Sequence, residues 1–133
     1  MNLFVDTSVW SLAFRRDRPT GDEVQLLARA MDGEHTVVAT GLVLQELLEG
    51  FFGPKARASI LESFGAFPFL EPSRRDHIDA ADLRNHCRRN GVQIGTIDSL
   101  LAHLCIRHNL VMLSADRDFR HAAQYCRLKV WQA

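Results

Sequence analysis

The feature that most constrains this chain is a set of short apolar runs with no alternation of apolar and polar residues. Leu3 to Val5 and Leu110 to Leu113 are apolar at every position. A strand with one wet face alternates with a period of two, so an unbroken apolar run predicts a strand buried on both faces. Strands buried in that way belong to parallel sheets, whose crossovers are usually helices. Stretches with helical spacing of apolar residues do stand between the runs. The chain is therefore predicted to be α/β, with a parallel sheet flanked by helices.

Taken in order, the first strand is Leu3 to Val5, and Thr7 or Ser8 is expected to cap a short helix through Phe14. Residues Arg15 to Pro19 form a charged break. Gly21 and Asp22 open a second helix, with Val24, Leu27, Ala28 and Met31 as its expected buried stripe, ended by Asp32-Gly33. Thr36 to Ala39 is the second strand. Thr40 caps a leucine-rich helix that carries Glu46 and stops at Gly50 and Gly53-Pro54. Lys55 to Phe64 forms a further helix closed by Gly65, and Phe67 to Leu70 a third strand, which Pro68 assigns to an edge. Ser73 caps a long helix, Arg74 to Arg89, with an expected stripe of Ile78, Ala81, Asp82 or Leu83, and Cys87. Asn90-Gly91 ends it. Thr96 is expected to cap the helix Ile97 to His108, which Asn109 breaks. Leu110 to Leu113 is the fourth strand, a short helix runs to about Tyr125, and Leu128 to Trp131 is the last strand. The 133 residues fit one domain, 1–133, with neither repeats nor low-complexity segments.

Composition excludes several classes. Sixteen acids balance sixteen Lys plus Arg, so no overall field attracts nucleic acid and any polyanion must be held locally. Only Lys55 and Lys129 are lysines; the arginine bias suits phosphate contacts as well as ordinary surface ion pairs. Cys87, Cys105 and Cys126 are odd in number and form no CxxC pair, which points to buried, reduced thiols in the cytosol rather than a zinc ribbon or disulfide framework. The start carries no signal-peptide pattern, and no apolar run is long enough for a membrane span. The histidines, at 35, 77, 86, 103, 108 and 121, match neither HExxH nor a Cys/His zinc spacing, and most are expected at the surface or at helix ends. Trp10 and Trp131 fit either core or dimer contacts.

Four acids stand out by position. Asp6 ends the first strand, and Asp116 lies just past the fourth. Glu46 sits among leucines on a helix that follows a strand. Asp98 opens a mostly apolar helix and shares a face with Leu101, Ala102 and Cys105. Taken singly, each has an ordinary reading: a cap for Asp6, a macrodipole partner for Asp98, a solvated helix residue for Glu46, a turn former for Asp116. Two of them, however, follow apolar strands on the side of an α/β sheet where sites form. Carboxylates that converge without a counter-charge repel, and a divalent cation resolves the repulsion. All-oxygen ligation favours Mg²⁺, with Mn²⁺ as a substitute. Carboxylates with such an ion suggest phosphodiester or phosphoryl chemistry, while the absence of a Gly-rich P-loop disfavours nucleotide-triphosphate hydrolysis.

The segments FVDTSVW, TGLVLQELLEG, IGTIDSLLAHLCIRHNL and VMLSADRDF, in this order and over nearly the whole chain, resemble the four motif regions of PIN-domain nucleases. More narrowly, they are similar to the VapC-type toxins of toxin–antitoxin pairs. The resemblance implies an α/β/α sandwich around a mostly parallel sheet of four to five strands. It also implies a metal-dependent cytoplasmic ribonuclease that forms a homodimer and is inhibited by a cognate antitoxin, whose arginine often pairs with the acidic cluster. Asp6, Asp98 and Asp116 match the acids that would hold Mg²⁺, and Glu46 the helix glutamate that binds it directly or through water. Thr7 or Ser8 matches the hydroxyl after the first acid. Ser114 stands where the family often has Thr, and Asp118 matches a second acid, expected as a helix cap or as support for a ligand. Arg15, Arg16, Arg18, Arg88, Arg89, Arg117 and Arg120 are candidates for RNA phosphate contacts. Two alternatives carry different expectations. An aspartyl-phosphate phosphatase would want an acid where Ser8 stands, and a non-catalytic RNA- or protein-binding module would bind no metal.

Overall fold

A computed structural model describes residues 1–15 and 21–133. Among these residues five strands form one sheet: β1 (Asn2–Val5), β2 (Thr36–Thr40), β3 (Phe69–Leu70), β4 (Val111–Leu113) and β5 (Lys129–Val130). Every pairing is parallel, and the order is β3-β2-β1-β4-β5. Leu3, Phe4 and Val5 are all buried, although successive side chains on a strand point to opposite faces. Both faces of the central strand are therefore covered, as its unbroken apolar run requires.

Helices make every crossover. α1 (Thr7–Phe14) and α2 (Asp22–Met31) follow β1, and α3 (Gly41–Gly50) and α4 (Pro54–Phe64) follow β2. α5 (Arg74–Arg89) and α6 (Thr96–Arg107) follow β3, and α7 (Arg117–Ala122) follows β4. The short β3 pairs only with β2, at the edge that Pro68 predicts.

The helices form where expected, but several faces and caps differ. On α2 the buried residues are Leu26, Leu27 and Ala30, whereas Ala28 and Met31 are exposed. On α5 they are Asp76, Ala80 and Cys87, whereas Ile78, Ala81 and Asp82 are exposed. In both helices the apolar count alone admits two neighbouring stripes, and tertiary packing selects the one that includes small or polar residues. The cap of α1 is Asp6 rather than Thr7 or Ser8, and the cap position of α6 is Gly95 rather than Thr96. α7 stops at Ala122, short of Tyr125. Thr40 and Ser73 cap α3 and α5 as expected, and Ser73 forms a full capping box with Asp76. Positive φ falls at Gly33, Asn109 and Gly91, each just past a helix end, where the left-handed conformation closes the last turn. Cys87 and Cys105 are buried free thiols, while Cys126 is only half-buried.

Candidate active site

The chain leaves β1 toward β2 on one side and returns to β4 on the other. The strand order thus reverses between β1 and β4, and a crevice opens beyond their carboxyl ends. Val5 pairs with Leu113, and the Asp6 amide donates to the Leu113 carbonyl at 2.9 Å. The residues that follow, Asp6 and Ser114, therefore lie side by side at the crevice floor.

Asp6 is 7 % exposed and held by its neighbours. Its Oδ2 accepts from the Ser8 hydroxyl at 2.7 Å, the Ser114 hydroxyl at 3.0 Å and the Ser8 amide at 3.4 Å. Among the described residues these bonds all go to Oδ2. The two hydroxyls also hold the β4 loop. The Ala115 amide donates to Ser8 Oγ at 3.0 Å, and the Asp116 amide donates to Ser114 Oγ at 3.0 Å. Both hydroxyls after the first acid are engaged, each with a different carboxylate: Ser8 with Asp6, and Thr7 with Glu46 Oε1 at 3.2 Å. Asp116, not Asp118, caps α7, by accepting from the Asp118 amide at 2.9 Å.

Asp98 enters from the first turn of α6, while Leu101, Ala102 and Cys105 of the same helix are buried against the sheet. Burial raises its carboxyl from 3.8 to about 6, and the charges of Asp6, Asp116, Glu46 and Asp118 push the same way. Glu46 stands at the exposed rim on α3; partial burial raises its carboxyl, the Thr7 hydroxyl opposes, and Asp6 and Glu49 raise it further. The four acids thus share one anionic field. Among the described residues no Lys, Arg or His forms an ion pair with any of them.

The donor set fits a hard divalent cation: carboxylate oxygens, mutual repulsion and no cationic partner among the described residues. Among those residues no three His, Cys, Asp or Glu side chains form a ready-made chelate. Mg²⁺ commonly keeps several waters and uses only one or two direct carboxylates, so a ready-made three-ligand chelate is not required of such a site.

Ser114→Ala tests the floor of the site. It removes one donor to Asp6 and the acceptor of the Asp116 amide. The expected loss is about 1 kcal/mol, or roughly 3 °C in thermal unfolding. Ser114→Thr, which keeps the hydroxyl, should retain most of that stability. An alanine variant that melts with wild type would show that the hydroxyl is dispensable.

Of the arginines, Arg16 and Arg18 lie outside the described residues. Arg88, Arg89 and Arg117 are exposed, and Arg120 is held against Glu23 at 3.5 Å. The sequence reading missed one charged cluster. Buried Asp76 binds His103 and Arg107, and its only sequence signal is the Ser73-x-x-Asp76 capping pattern.

A family model described as PIN domain matches residues 3–125. None of the curated proteins compared with the chain matches it in sequence. Among solved structures, the chain is similar to VapBC-1 from nontypeable Haemophilus influenzae, at 18% identity and a TM-score of 0.74, covering 99% of this chain and 98% of that one. It is similar to VapBC2 from Rickettsia felis, bound to a DNA fragment from its promoter, at 18% identity and a TM-score of 0.72, covering 98% of both chains. It is also similar to the Mycobacterium tuberculosis toxin VapC20, described as cleaving the sarcin–ricin loop, at 16% identity and a TM-score of 0.67, covering 95% of this chain and 98% of that one. At these identities the likeness concerns the fold.

Proposed function

The chain belongs to the PIN-domain family, and from that premise we propose that it is a divalent-metal-dependent endoribonuclease, the toxin of a toxin–antitoxin pair. The observation that carries this reading is that Asp6 and Asp116 follow β1 and β4 at the switch point of the sheet, near enough to Asp98 that their charges and that of Glu46 add to burial in raising its carboxyl to about 6. Asp6, Asp98 and Asp116 would hold Mg²⁺, or Mn²⁺ in its place, and Glu46 would reach it directly or through water. When bound, the ion supplies a Lewis acid for water and for the scissile phosphate.

The chain's own groups do the rest. Ser8 and Ser114 fix Oδ2 of Asp6. Thr7 holds Glu46 at the rim, where a carboxyl raised above its ordinary value is a better proton acceptor from an attacking water. Exposed Arg88, Arg89 and Arg117 are candidates to position the RNA backbone. RNA as substrate is supported by the described cleavage activity of the similar VapC20. An antitoxin partner is supported by the VapBC complexes among the similar structures. A second copy of the chain is the other proposed partner, and the cytoplasm the proposed location. Among the described residues no helix is long and apolar enough to cross a membrane.

The phosphatase alternative loses ground at Ser8, whose hydroxyl is engaged by Asp6 and the Ala115 amide where that chemistry wants a free acid. The deciding experiment is cleavage of a panel of structured RNAs, tRNAs and ribosomal fragments included, in Mg²⁺ or Mn²⁺ and in EDTA. Cleavage should need both the ion and Asp6, and Asp6→Asn should lower it by about a hundredfold or more. Asparagine can still accept from Ser8 and Ser114, so the variant should stay folded. Cleavage that persists in EDTA, or in Asp6→Asn, would overturn the proposal.

A further inference from the structure

Asp76 is 1 % exposed, yet it is an acid on α5, well away in sequence from the site. Its Oδ2 accepts from the Ser73 amide at 2.8 Å, the Ser73 hydroxyl at 3.0 Å and Arg107 Nη1 at 2.7 Å. Its Oδ1 meets His103 Nε2 at 2.9 Å and Arg107 Nη1 at 2.9 Å. His103 and Arg107 both belong to α6, the helix that carries Asp98. A second polar bond ties α5 to the loop that leads into α6: Arg84 Nε donates to the Ile94 carbonyl at 2.8 Å. Asp98 lies in sequence between these two fastenings.

Apolar packing also joins α5 and α6, with Ala80 on Leu100 and Leu104. Such contacts are non-directional and resist separation more than sliding or turning. Directional bonds to a buried carboxylate resist both. Replacing a buried ion pair by apolar residues is often neutral for stability, so stability alone is a weak account of a cluster like this. The cost of losing it would fall on geometry. A helix rises 1.5 Å per residue, so a slip of one residue would carry Asp98 about 1.5 Å along the axis. A misplacement of about 1 Å can reduce catalysis on the order of a hundredfold.

We propose that Asp76 is a positioning residue for Asp98: through His103 and Arg107 it locks the axial and rotational setting of α6, and so fixes where the Asp98 carboxylate meets those of Asp6 and Asp116. The proposal rests on the reading of that cluster as an ion site. Arg107 is half exposed at its side chain, so its replacement perturbs the lock without opening the core.

The test uses the full chain with two readouts: Mn²⁺ affinity by electron paramagnetic resonance, and amide hydrogen exchange of the metal-free protein. Asp76→Asn and Arg107→Met should each weaken Mn²⁺ binding by about tenfold. They should also quicken exchange from Ser99 to Ala102 while β1 and β4 keep wild-type protection. Arg107→Lys should restore part of both. Because Asp76 also completes the capping box of α5 with Ser73, Asp76→Asn risks misfolding; Arg107→Met keeps that box and then carries the test. Breaking the surface pair Arg75–Asp79 on α5 is the control and should change neither readout. A lower melting temperature with unchanged Mn²⁺ affinity and unchanged α6 exchange would overturn the proposal. Wild-type protein that takes up no Mn²⁺ would sink the ion-site reading instead, and α6 exchange would still decide whether Asp76 sets this helix.

Discussion

Asp98→Asn is expected to raise the melting temperature of the metal-free protein at neutral pH and, on the proposed reading, to abolish stabilisation by Mg²⁺ and cleavage of RNA. The sign follows from the proton balance. The folded-state carboxyl titrates at about 6, above its ordinary 3.8, so between these values the folded chain binds more protons than the unfolded one. Stability in EDTA therefore falls as pH rises from about 4 through about 6, and the full penalty is present above pH 7. Asparagine carries no charge and escapes the penalty. The rise sets a ceiling of about 3 kcal/mol. Solvent screening at this partly exposed position reduces it to about 1 kcal/mol, or roughly 3 °C. Thermal unfolding in EDTA from pH 4 to 8 checks this: the wild-type and Asp98→Asn curves should diverge across that window and then run parallel. With Mg²⁺ the order should reverse on the proposed reading, since an ion that binds only the folded chain stabilises it by mass action and the variant lacks one of the proposed ligands. An Asp98→Asn variant less stable than wild type in EDTA would mean that neither burial nor the neighbouring acids penalise the Asp98 carboxylate.

The parallel sheet, and with it the position of the candidate site, is legible in the sequence for a physical reason. The unbroken apolar runs at Leu3–Val5 and Leu110–Leu113 announce buried parallel strands, and a parallel sheet places chemistry beyond its carboxyl ends. Asp6 and Asp116 are then marked by position alone. Asp98 is marked by the apolar residues that share its face. What the sequence left open is the division of labour among neighbours. Thr7, Ser8 and Asp6 are all good helix caps, and only the meeting of β1 with β4 decides that Asp6 caps α1 while Ser8 reaches the β4 loop. Asp116 and Asp118 are likewise interchangeable as caps until the end of β4 fixes the first residue of α7.

The harder omission is Asp76. Local pattern places Ser73 at a cap, and an acid three residues later completes a capping box, so nothing local asks for more. Its burial depends on His103 and Arg107, 27 and 31 residues away. Pairings over that range come from how α5 lies on α6, which periodicity does not encode. The same cause explains the misassigned stripe of α5, where Ala80 faces inward and Ile78 outward. Close helix packing selects the small residue, and the larger apolar one is left in solvent.

Trp10→Ala is expected to be the most destabilising single change considered in this protein, with a loss of about 3–5 kcal/mol. Trp10 is 3 % exposed and packs on Phe64 of α4 at 4.8 Å between ring centroids, on Phe67 before β3 at 5.8 Å, and on Phe14 at 6.1 Å. Phe64 and Phe67 also meet edge-on at 5.3 Å, so the indole sits inside a cluster rather than beside one. Aromatic pairs of this kind contribute about 0.5–1.5 kcal/mol beyond their burial. The alanine would remove several at once and leave a cavity. Against a typical total of about 5–15 kcal/mol, the variant should melt about 10 °C or more below wild type. Trp10→Phe should keep most of the packing. Circular dichroism in urea is the suitable measurement, because the substitution removes one of only two tryptophans and with it much of the fluorescence. The midpoint should fall with little change in slope. A loss under about 1 kcal/mol would mean that the ring does not fill the core. The change should also reach the site, because α1 begins at Thr7 and Ser8, whose hydroxyls hold Glu46 and Asp6. On the proposed reading, Mg²⁺ should then recover part of the lost melting temperature in Trp10→Ala by favouring the folded chain. It should recover none in the double variant with Asp98→Asn.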